Sequence, residues 1–559
     1  MASQLSQFDS TLASLARNRP DLWLLSACGL TPAQEPIPSL LHRDAYSAHS
    51  AGHRVLLIAG LSGSADDTML ALQVLELVSS DSARLGSQIA ISAIPKANPR
   101  AVRDLSSTYP PEDGFFNHAE EPEKRYLWRY ICWQAPDLVL EIRAGTEVTW
   151  QANPAAGSLV AAWSDVEDLS EPGSLLAVLG IGLPDGLGAI PGLRLTCPDA
   201  KLTSQLARLW KALELSPPGR FKSPARLTLD DRRSRSFLEV ADVLAQSYGH
   251  QLDPVNYTQG VGLSGRLRLH QLDPLGPSPV DDIVRLVEPY VSGETVMFSQ
   301  SPGGANLGGL LWADELFQET GDLRYRDLIV DVADRYQPAR GKQAPKPCDP
   351  EFRTEDMFMA GAMLGRAYAL TGDTRYTGLL VKFLLDAGTQ QDNGMFWHCR
   401  SAPFYWGRGN GFAALGLAET LTYLPEDHPG REEILNIYRK LLDAVAATQY
   451  MSGMYPQVLN VPGSYQEFTA TCMMGIALAR GLRLGWLGPD YRPTLELAWQ
   501  GVAERTDGQG NVVDGCVSTG VQGSLQEYLD RPAIFGRDDR SGGMALWFAV
   551  EMERCSRTP

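Results

Sequence analysis

Residues 320–325 read TGDLRY, and residues 371–376 read TGDTRY. Each copy follows one apolar helical stretch and begins another, so the pair indicates a repeated helical hairpin. In each copy the glycine suits the C-terminal end of a helix, and the aspartate suits the N-cap of the next helix. We interpret the repeat as a reused turn that reports on architecture.

Apolar residues recur at helical spacing throughout the second part of the chain, with glycine or proline between the stretches. The pattern predicts twelve helices, at 234–249, 255–270, 279–291, 304–319, 322–336, 354–370, 373–388, 408–423, 430–449, 464–485, 489–504 and 541–555. Six helical hairpins can close into a ring. The sequence therefore predicts an all-α (α/α)6 barrel over residues 233–559.

The first 220 residues have a different pattern, in which short apolar runs alternate with turns and a helical stretch at 68–78. Strands are predicted at 55–59, 89–94, 138–142, 176–181 and 193–197. This alternation favours an α/β domain with a parallel sheet over residues 1–220. Residues 221–232 are rich in proline, glycine and arginine and are predicted to be a linker, so the chain is multidomain.

The charge balance excludes some classes of partner. The 559 residues include 66 acidic and 49 basic side chains, a net charge of −17. We therefore expect no nucleic-acid partner and no binding to anionic membranes. No run approaches the roughly 20 apolar residues of a membrane helix, and we see no signal peptide at the start. The 8 scattered cysteines form no metal-type pair, and a reducing, cytoplasmic location is expected.

Two adjacent carboxyl groups, Glu355 and Asp356, precede an apolar helix, with Thr354 as a candidate N-cap. They could simply complement the helix dipole. Alternatively, apolar neighbours such as Met357 and Met359 could raise the pKa of one carboxyl and make it a general acid.

Three further loops carry candidate binding residues. The segment before the helix at 408–423 combines aromatic rings, a histidine, an arginine and glycines, which we interpret as leaving room for a sugar ring. Glu467 opens a helix of small residues, where a capping role and a ligand role are both open. Charged residues before the last helix could pair with each other or face a ligand. The candidates in these loops are His398, Trp406, Arg408, Asn410, Phe412, Glu467, Arg537 and Arg540.

These motifs resemble those of unsaturated glucuronyl and rhamnogalacturonyl hydrolases, glycoside hydrolase families 88 and 105, over about residues 233–556. The most specific match is WGRGNGF at 406–412, which is similar to the W-A-R-G-N-G-W of those families. The segment EDMFM at 355–359 resembles their D-(D/G)-(L/M)-(F/Y)-M. His398 matches their pocket histidine. The resemblance implies an (α/α)6 barrel, in agreement with the predicted helices.

The same resemblance implies a reaction on a short oligosaccharide with a terminal, 4,5-unsaturated uronic acid. A carboxylic acid protonates C4, water adds at C5, and the hemiketal opens, with no metal or organic cofactor. In register, the catalytic aspartate of the families falls on Glu355, with Asp356 beside it, and we favour Asp356 because it is an aspartate. A second aspartate of the families falls near Asn306. Arg408 is expected to bind the uronate carboxylate.

The first domain resembles zinc carboxypeptidases and succinylglutamate desuccinylases. LLIAGLSG at 56–63 is similar to the strand that carries their I-x-G-x-H-G-x-E ligands. Ser62 and Ala65 stand in place of the histidine and glutamate, and Arg143 stands where the last histidine belongs. A zinc site needs about three protein ligands, so we predict a zinc-free relative that binds substrate or forms dimers. Displaced groups that could still bind metal are His53, Asp66 and Asp67.

Other functions remain open at this point. The barrel could hydrolyse saturated uronides with two carboxylates, or the chain could be a non-catalytic sugar-binding protein. A third alternative is a metallopeptidase or amidase in the first domain. The expected partner is an oligosaccharide with a terminal uronic acid, and a homo-oligomer is possible.

Overall fold

The computed structural model describes residues 7–47, 52–80, 88–111, 121–216, 221–338 and 340–558. The chain divides into two compact units. The first contains the residues up to Ser234 together with Pro462–Tyr465, and the second contains Arg235–Val461 together with the residues from Gln466 onward. Across the described residues, every helix is too short or too polar to traverse a lipid bilayer.

The first unit is built on an eight-stranded mixed sheet in the order β1-β2-β4-β3-β5-β8-β6-β7. Strands β3, β4, β5 and β8 are parallel, as predicted, and β3 is buried along its whole length. In chain order the strands are β1 (Trp23–Leu30), β2 (Pro36–His42), β3 (His53–Ala59), β4 (Ile89–Ile94), β5 (Leu138–Ala144), β6 (Thr149–Ala152), β7 (Val166–Asp168) and β8 (Gly192–Cys197). Its helices are α1 (Gln7–Asn18), α2 (Ala65–Ser80), α3 (Pro122–Gln134), α4 (Gly157–Val160), α5 (Leu175–Ile181), α6 (Leu202–Leu215) and α7 (Pro224–Ser234).

Two predictions for this unit were wrong. Residues 176–181, predicted as a strand, lie in helix α5, because a short apolar run does not distinguish a buried helix from a buried strand. Residues 221–232, predicted as a linker, include most of helix α7, which begins at Pro224. Proline is favoured at the first position of a helix, and Arg226 and Leu229 of this helix are buried.

The second unit is helical and follows the predicted helices closely. In chain order the helices are α8 (Phe237–Ser247), α9 (Tyr257–Leu272), α10 (Val280–Val291), α11 (Gly304–Leu307), α12 (Trp312–Thr320), α13 (Leu323–Ala333), α14 (Thr354–Thr371), α15 (Thr374–Asp386), α16 (Gly407–Tyr423), α17 (Arg431–Ala446), α18 (Phe468–Arg483), α19 (Arg492–Glu504), α20 (Leu525–Leu529) and α21 (Asp539–Ser556). The helix predicted at 304–319 is divided by a 3-10 turn, Gly308–Leu310. Short strands β9 (Tyr455–Pro456), β10 (Gln466–Glu467), β11 (Val512–Cys516) and β12 (Ala533–Gly536) complete the unit.

Six inner helical segments form a closed ring. Helix α9 packs on α12, the 3-10 turn before α12 packs on α14, and α14, α16, α18 and α21 follow in order until α21 returns to α9. Outer helices α13, α15, α17 and α19 pack on the inner helices that precede them, and α8 packs on α21. This arrangement is the predicted (α/α)6 barrel.

The two TGD turns have the predicted geometry. Gly321 and Gly372 adopt left-handed backbone angles, with φ of 69° and 72°, at the ends of α12 and α14. Asp322 and Asp373 accept hydrogen bonds from backbone N–H groups of α13 and α15 as their N-caps. A repeated local sequence therefore forms the same turn between successive barrel helices.

A ring of buried charges lies near the C-terminal ends of the inner helices. Each inner helix contributes one member, and the signs alternate around the barrel. We call the following set the charge ring: Arg268 of α9, Glu315 of α12, Arg366 of α14, Glu419 of α16, Arg480 of α18 and Glu551 of α21.

Short contacts link the members of the charge ring. Arg268 Nε donates to Glu315 Oε1 at 2.7 Å, and Arg366 Nη1 donates to Glu419 Oε2 at 2.8 Å. Burial alone would raise the pKa of Glu419, but the arginines on both sides outweigh it and lower that pKa. The carboxylates of Glu315, Glu419 and Glu551 are therefore ionised, and they balance the three arginines of the charge ring.

Candidate active site

The candidate site lies at the opposite end of the barrel from the charge ring. Inner and outer helices alternate along the chain, so the N-termini of all inner helices meet at one end. The sequence-predicted carboxyl pair begins α14, and the glycine-rich segment begins α16. The helix N-termini lie so close together that only glycine fits at position 304. A methyl group on Gly304, at the start of α11, would collide with Asp356 Oδ1.

Glu355 is linked to a histidine and a tyrosine. His398 Nε2 lies 3.0 Å from both carboxylate oxygens of Glu355, and His398 Nδ1 lies 2.5 Å from the hydroxyl of Tyr528. The histidine side chain is fully buried, whereas that of Glu355 is 19% exposed. Burial would raise the pKa of Glu355, but the charge and hydrogen bonds of His398 outweigh it and lower that pKa. Glu355 is therefore a carboxylate at neutral pH.

Asp356 lies in the opposite electrostatic environment. Burial raises the pKa of Asp356 to about 7, and the negative charges of Glu355 and Asp349 add to the effect. The backbone N–H of Asp349 donates to Asp356 Oδ2 at 2.7 Å and opposes part of the rise. A substantial fraction of Asp356 is therefore protonated at neutral pH and available as an acid.

The raised pKa of Asp356 predicts how stability depends on pH. A carboxyl whose pKa is higher in the folded state than in the unfolded state costs stability as pH rises from about 4 to 7, and the full cost remains above 7. We expect Asp356→Asn to exceed the wild type in unfolding free energy by about 2–4 kcal/mol at pH 8. The difference should disappear below pH 4. Urea denaturation of both proteins at several pH values measures it, and a pH-independent difference would contradict it.

The guanidinium of Arg408, expected to bind a substrate carboxylate, is engaged by the protein. Its nitrogens donate to the backbone carbonyls of Cys516 and Val517, and it lies 4.8 Å from the ring of Trp406. Arg408 is 2% exposed. The ring of Trp406 packs against His398, with 4.6 Å between ring centroids. Trp406 therefore packs directly against the histidine, and Arg408 packs against Trp406.

Three other predicted residues are buried in the surrounding structure. Asn410 accepts from the backbone N–H of Phe396 at 2.7 Å and donates to the Phe396 carbonyl, which fixes the segment before His398. Phe412 packs against Tyr257 and Phe358 in the core. Glu467 is the N-cap of α18 and accepts from the backbone N–H of Thr469 and Cys516. The capping alternative for Glu467 is therefore the one observed.

Arg537 and Arg540 line a separate cavity of about 670 Å³ with Asp538 and Asp539. Arg540 Nε donates to the hydroxyl of Tyr257 at 2.8 Å, and Arg537 donates to the carbonyl of Ser247. Among the described residues, neither arginine forms a hydrogen bond or an ion pair with Glu355 or His398. The structure therefore does not place them in the same cluster as the carboxyl pair.

One expectation at the start of the inner helices needs correction, and the role of a second residue can be described. Thr354 is the first residue of α14, and the N-cap position belongs to Arg353, which makes no side-chain capping bond. Asn306, at the position of a second aspartate in the resembling families, donates to the Val255 carbonyl at 2.9 Å and caps α11. Its short amide side chain is used in the local turn.

Arg353 and Tyr528 belong to the cluster although neither was assigned a role from sequence. The Arg353 side chain is 33% exposed, and its Nε lies 3.3 Å from Asp349 Oδ2. Its positive charge favours the ionised forms of Glu355 and Asp356, although burial still raises the pKa of Asp356 overall. Its sequence signal is its place immediately before the carboxyl pair. Tyr528 lies in the short helix α20, 130 residues beyond its partner His398, a distance that no local pattern reveals.

In the first unit, the positions compared with zinc ligands are occupied by an internal hydrogen-bond network. Ser62 Oγ donates to Asp67 Oδ2 at 3.1 Å, and the backbone N–H of Ala144 donates to Asp67 Oδ1 at 2.8 Å. His53 bonds the carbonyl of Leu213 at the far end of β3. Within the described ranges, no three His, Cys, Asp or Glu side chains are grouped to hold a metal ion. These residues do not fit a zinc site.

Residues 399–556 match the family model described as Glycosyl Hydrolase Family 88. The fold agrees: the family 105 glycoside hydrolase of C. acetobutylicum ATCC 824 superposes with a TM-score of 0.50 at 19% identity, over 56% of this chain and 99% of that one. A possible family 105 member from Klebsiella pneumoniae gives the same TM-score at 21% identity, over 59% and 94%. The barrel thus has the fold of these glycoside hydrolases, and its second half carries the match to the family 88 model.

Curated relatives match shorter segments. An unsaturated rhamnogalacturonyl hydrolase of Bacillus subtilis (strain 168) is 28% identical over 149 residues, 26% of this chain and 41% of that protein. Protein Atu3128 of Agrobacterium fabrum is 34% identical over 106 residues, 18% of this chain and 45% of that protein. The chain therefore spans less than half the length of these relatives.

Proposed function

We propose that the barrel removes a terminal 4,5-unsaturated uronic acid from short oligosaccharides by hydrating its double bond. The observation that carries the proposal is the pair of adjacent carboxyls at the start of α14, whose pKa values are shifted in opposite directions. Such a divergence assigns one group as an acid and its neighbour as a base. The reaction needs both at neutral pH.

The two carboxyls have distinct roles in this scheme. Asp356 gives its proton to C4 of the double bond. Glu355, held by His398, orients the water that adds at C5 and accepts a proton from it. The resulting hemiketal opens and releases the next sugar, and proton return to Asp356 restores the starting state. No metal or organic cofactor enters these steps.

Arg353 is the residue that we assign to the uronate carboxylate. Its guanidinium is partly exposed beside Glu355, whereas Arg408 is buried on backbone carbonyls. Because guanidinium pairs with carboxylate at a fixed geometry, Arg353 would orient the sugar over the carboxyl pair. Arg408, Trp406 and Asn410 would then act as positioning residues for His398.

The assignment to Arg353 predicts a binding defect. Arg353→Gln removes a hydrogen bond between charged groups, which contributes about 1.5–3 kcal/mol. We expect the KM for an unsaturated uronide to rise about 10- to 100-fold, with a smaller change in kcat. Steady-state kinetics beside Arg492→Gln, a change of the same charge on outer helix α19, measures the effect. Equal KM values for the two variants would contradict the assignment.

The names of two relatives support the proposed substrate class. The matched Bacillus subtilis protein is called an unsaturated rhamnogalacturonyl hydrolase, and a relative from Alteromonas sp. (strain LOR) is called an unsaturated 3S-rhamnoglycuronyl hydrolase. Both names describe hydrolysis of an unsaturated uronyl group that is linked to rhamnose. For the first unit, we infer a zinc-free relative of the carboxypeptidase-like fold, a prediction that rests on the sequence resemblance.

A matched substrate panel tests the proposed function. Lyase-generated unsaturated disaccharides and their saturated counterparts are incubated with the full chain while absorbance of the double bond and release of reducing sugar are followed. We expect loss of absorbance with sugar release from the unsaturated set alone. Turnover of the saturated set would favour conventional two-carboxylate hydrolysis, and binding without turnover would favour a sugar-binding protein.

A further inference from the structure

A second, basic cavity of about 740 Å³ borders the carboxyl pair. The loop between α13 and α14 forms one wall, and residues before and within α11 form another. The lining includes four cationic side chains, Arg335, Lys342, Lys346 and Arg400, and no acidic one among the described residues that line it. The chain as a whole carries a net charge of −17, so this local concentration of positive charge would attract anions that the rest of the surface repels.

Three of these cations carry no counter-charge from the protein. Within the described part of the chain, Arg335, Lys342 and Lys346 form no ion pair, although Arg335 lies 5.4 Å from the ring of Phe298. By contrast, the exposed Arg324 and Arg375 of the neighbouring turns pair with Asp322 and Asp373. Uncompensated cations around a concave surface attract an anion more strongly than paired surface charges do.

The cavity is adjacent to the proposed acid. Cys348 lines the cavity, and the backbone N–H of the next residue, Asp349, donates to Asp356 Oδ2 at 2.7 Å. On the other wall, Leu307 ends the short helix α11, whose first residue, Gly304, closely approaches Asp356. Residues on two walls of the cavity are therefore directly connected to residues that contact Asp356.

We propose that this cavity binds an anionic substituent, a carboxylate or a sulfate ester, on the sugar that follows the unsaturated uronic acid. The inference rests on the proposed function, since it takes Asp356 as the reference point for the substrate. Lysine supplies mobile point charges and arginine supplies a planar fork, so the set accommodates either oxyanion. The enzyme would thus select chains that are acidic at two consecutive sugars.

Binding and turnover of matched ligands test the inference. The ligands are unsaturated uronic acid–N-acetylgalactosamine disaccharides with no sulfate, a 4-sulfate or a 6-sulfate, and unsaturated digalacturonate, whose second sugar carries a carboxylate. Calorimetry with Asp356→Asn measures affinity without turnover, and the wild type measures kcat/KM. Each is repeated with Lys342→Gln/Lys346→Gln and with Lys440→Gln, an exposed lysine of α17 that lies outside the lining.

We expect at least one anionic second sugar to bind 10-fold or more tightly than the neutral one, with a preference that shrinks at high salt. The double variant should lose that preference, and Lys440→Gln should retain it. Equal affinity for all ligands, or a preference that survives the double variant, overturns the inference. Selective binding without hydrolysis would refute the proposed function and leave the anion site in place. Hydrolysis without selectivity would support the proposed function and refute the anion site.

Discussion

Replacing Asp356 with asparagine lowers kcat on an unsaturated uronide by about 10²–10⁴-fold, the usual contribution of a general acid. The amide keeps the shape of the side chain but has no proton to give to C4. The fold should survive, since the neutral side chain suits its buried position. For the wild type, activity should fall about tenfold per pH unit above pH 7, because the proton leaves Asp356 at a pKa of about 7.

Two companion variants separate the roles of the carboxyls. Glu355→Gln should also reduce kcat. The loss of activity at high pH should remain because Asp356 still titrates, but it should begin at a lower pH, because the negative charge of Glu355 no longer raises the pKa of Asp356. Asp392→Asn, an exposed carboxyl with no site contact, should behave as the wild type. If Asp356→Asn retains wild-type turnover while Glu355→Gln is inactive, the acid is Glu355 and the assignment is reversed.

Breaking the charge ring at Glu419 should be the most destabilising single change in the barrel. Glu419 contacts both Arg366 and Arg480, and all three side chains are buried. Removing one partner of a buried ion pair leaves an uncompensated charge and typically costs 3–5 kcal/mol. We expect Glu419→Gln to lose about that much unfolding free energy in the barrel transition, measured by urea denaturation of the full chain.

Glu432→Gln provides the matched control, since it makes the same chemical change at an exposed position on outer helix α17. Its effect should stay within about 0.5 kcal/mol. Hydrogen exchange should show weaker protection of α16 amides in Glu419→Gln alone. Equal stability of the two variants would mean that the charge ring does not hold the inner helices together.

The barrel was predictable because its signals are local. Each helix carries its own apolar periodicity and end residues, and the TGD turns repeat the same caps. The charge ring was not predicted, since its pairs join six helices that are distant in sequence. Its members are visible in the sequence only as charged residues within otherwise apolar helices, several of which carry further charges nearby.

The candidate site was predicted in part. Glu355, Asp356 and His398 were identified, and the structure brings Glu355 and His398 into contact. The interpretation of the glycines after Trp406 was wrong, because Gly407 packs against the backbone of Pro456 and Gly411 packs against Met473. These glycines permit close packing and do not leave space for a ligand.

The central claim, that the barrel hydrates a double bond, is tested most directly by following the reaction in deuterated water with nuclear magnetic resonance. Initial turnover of an unsaturated disaccharide should remove the C4 alkene proton signal and place one deuteron at C4 as the second sugar is released. Asp356→Asn should do neither. Release of the second sugar while the alkene signal persists would contradict the account.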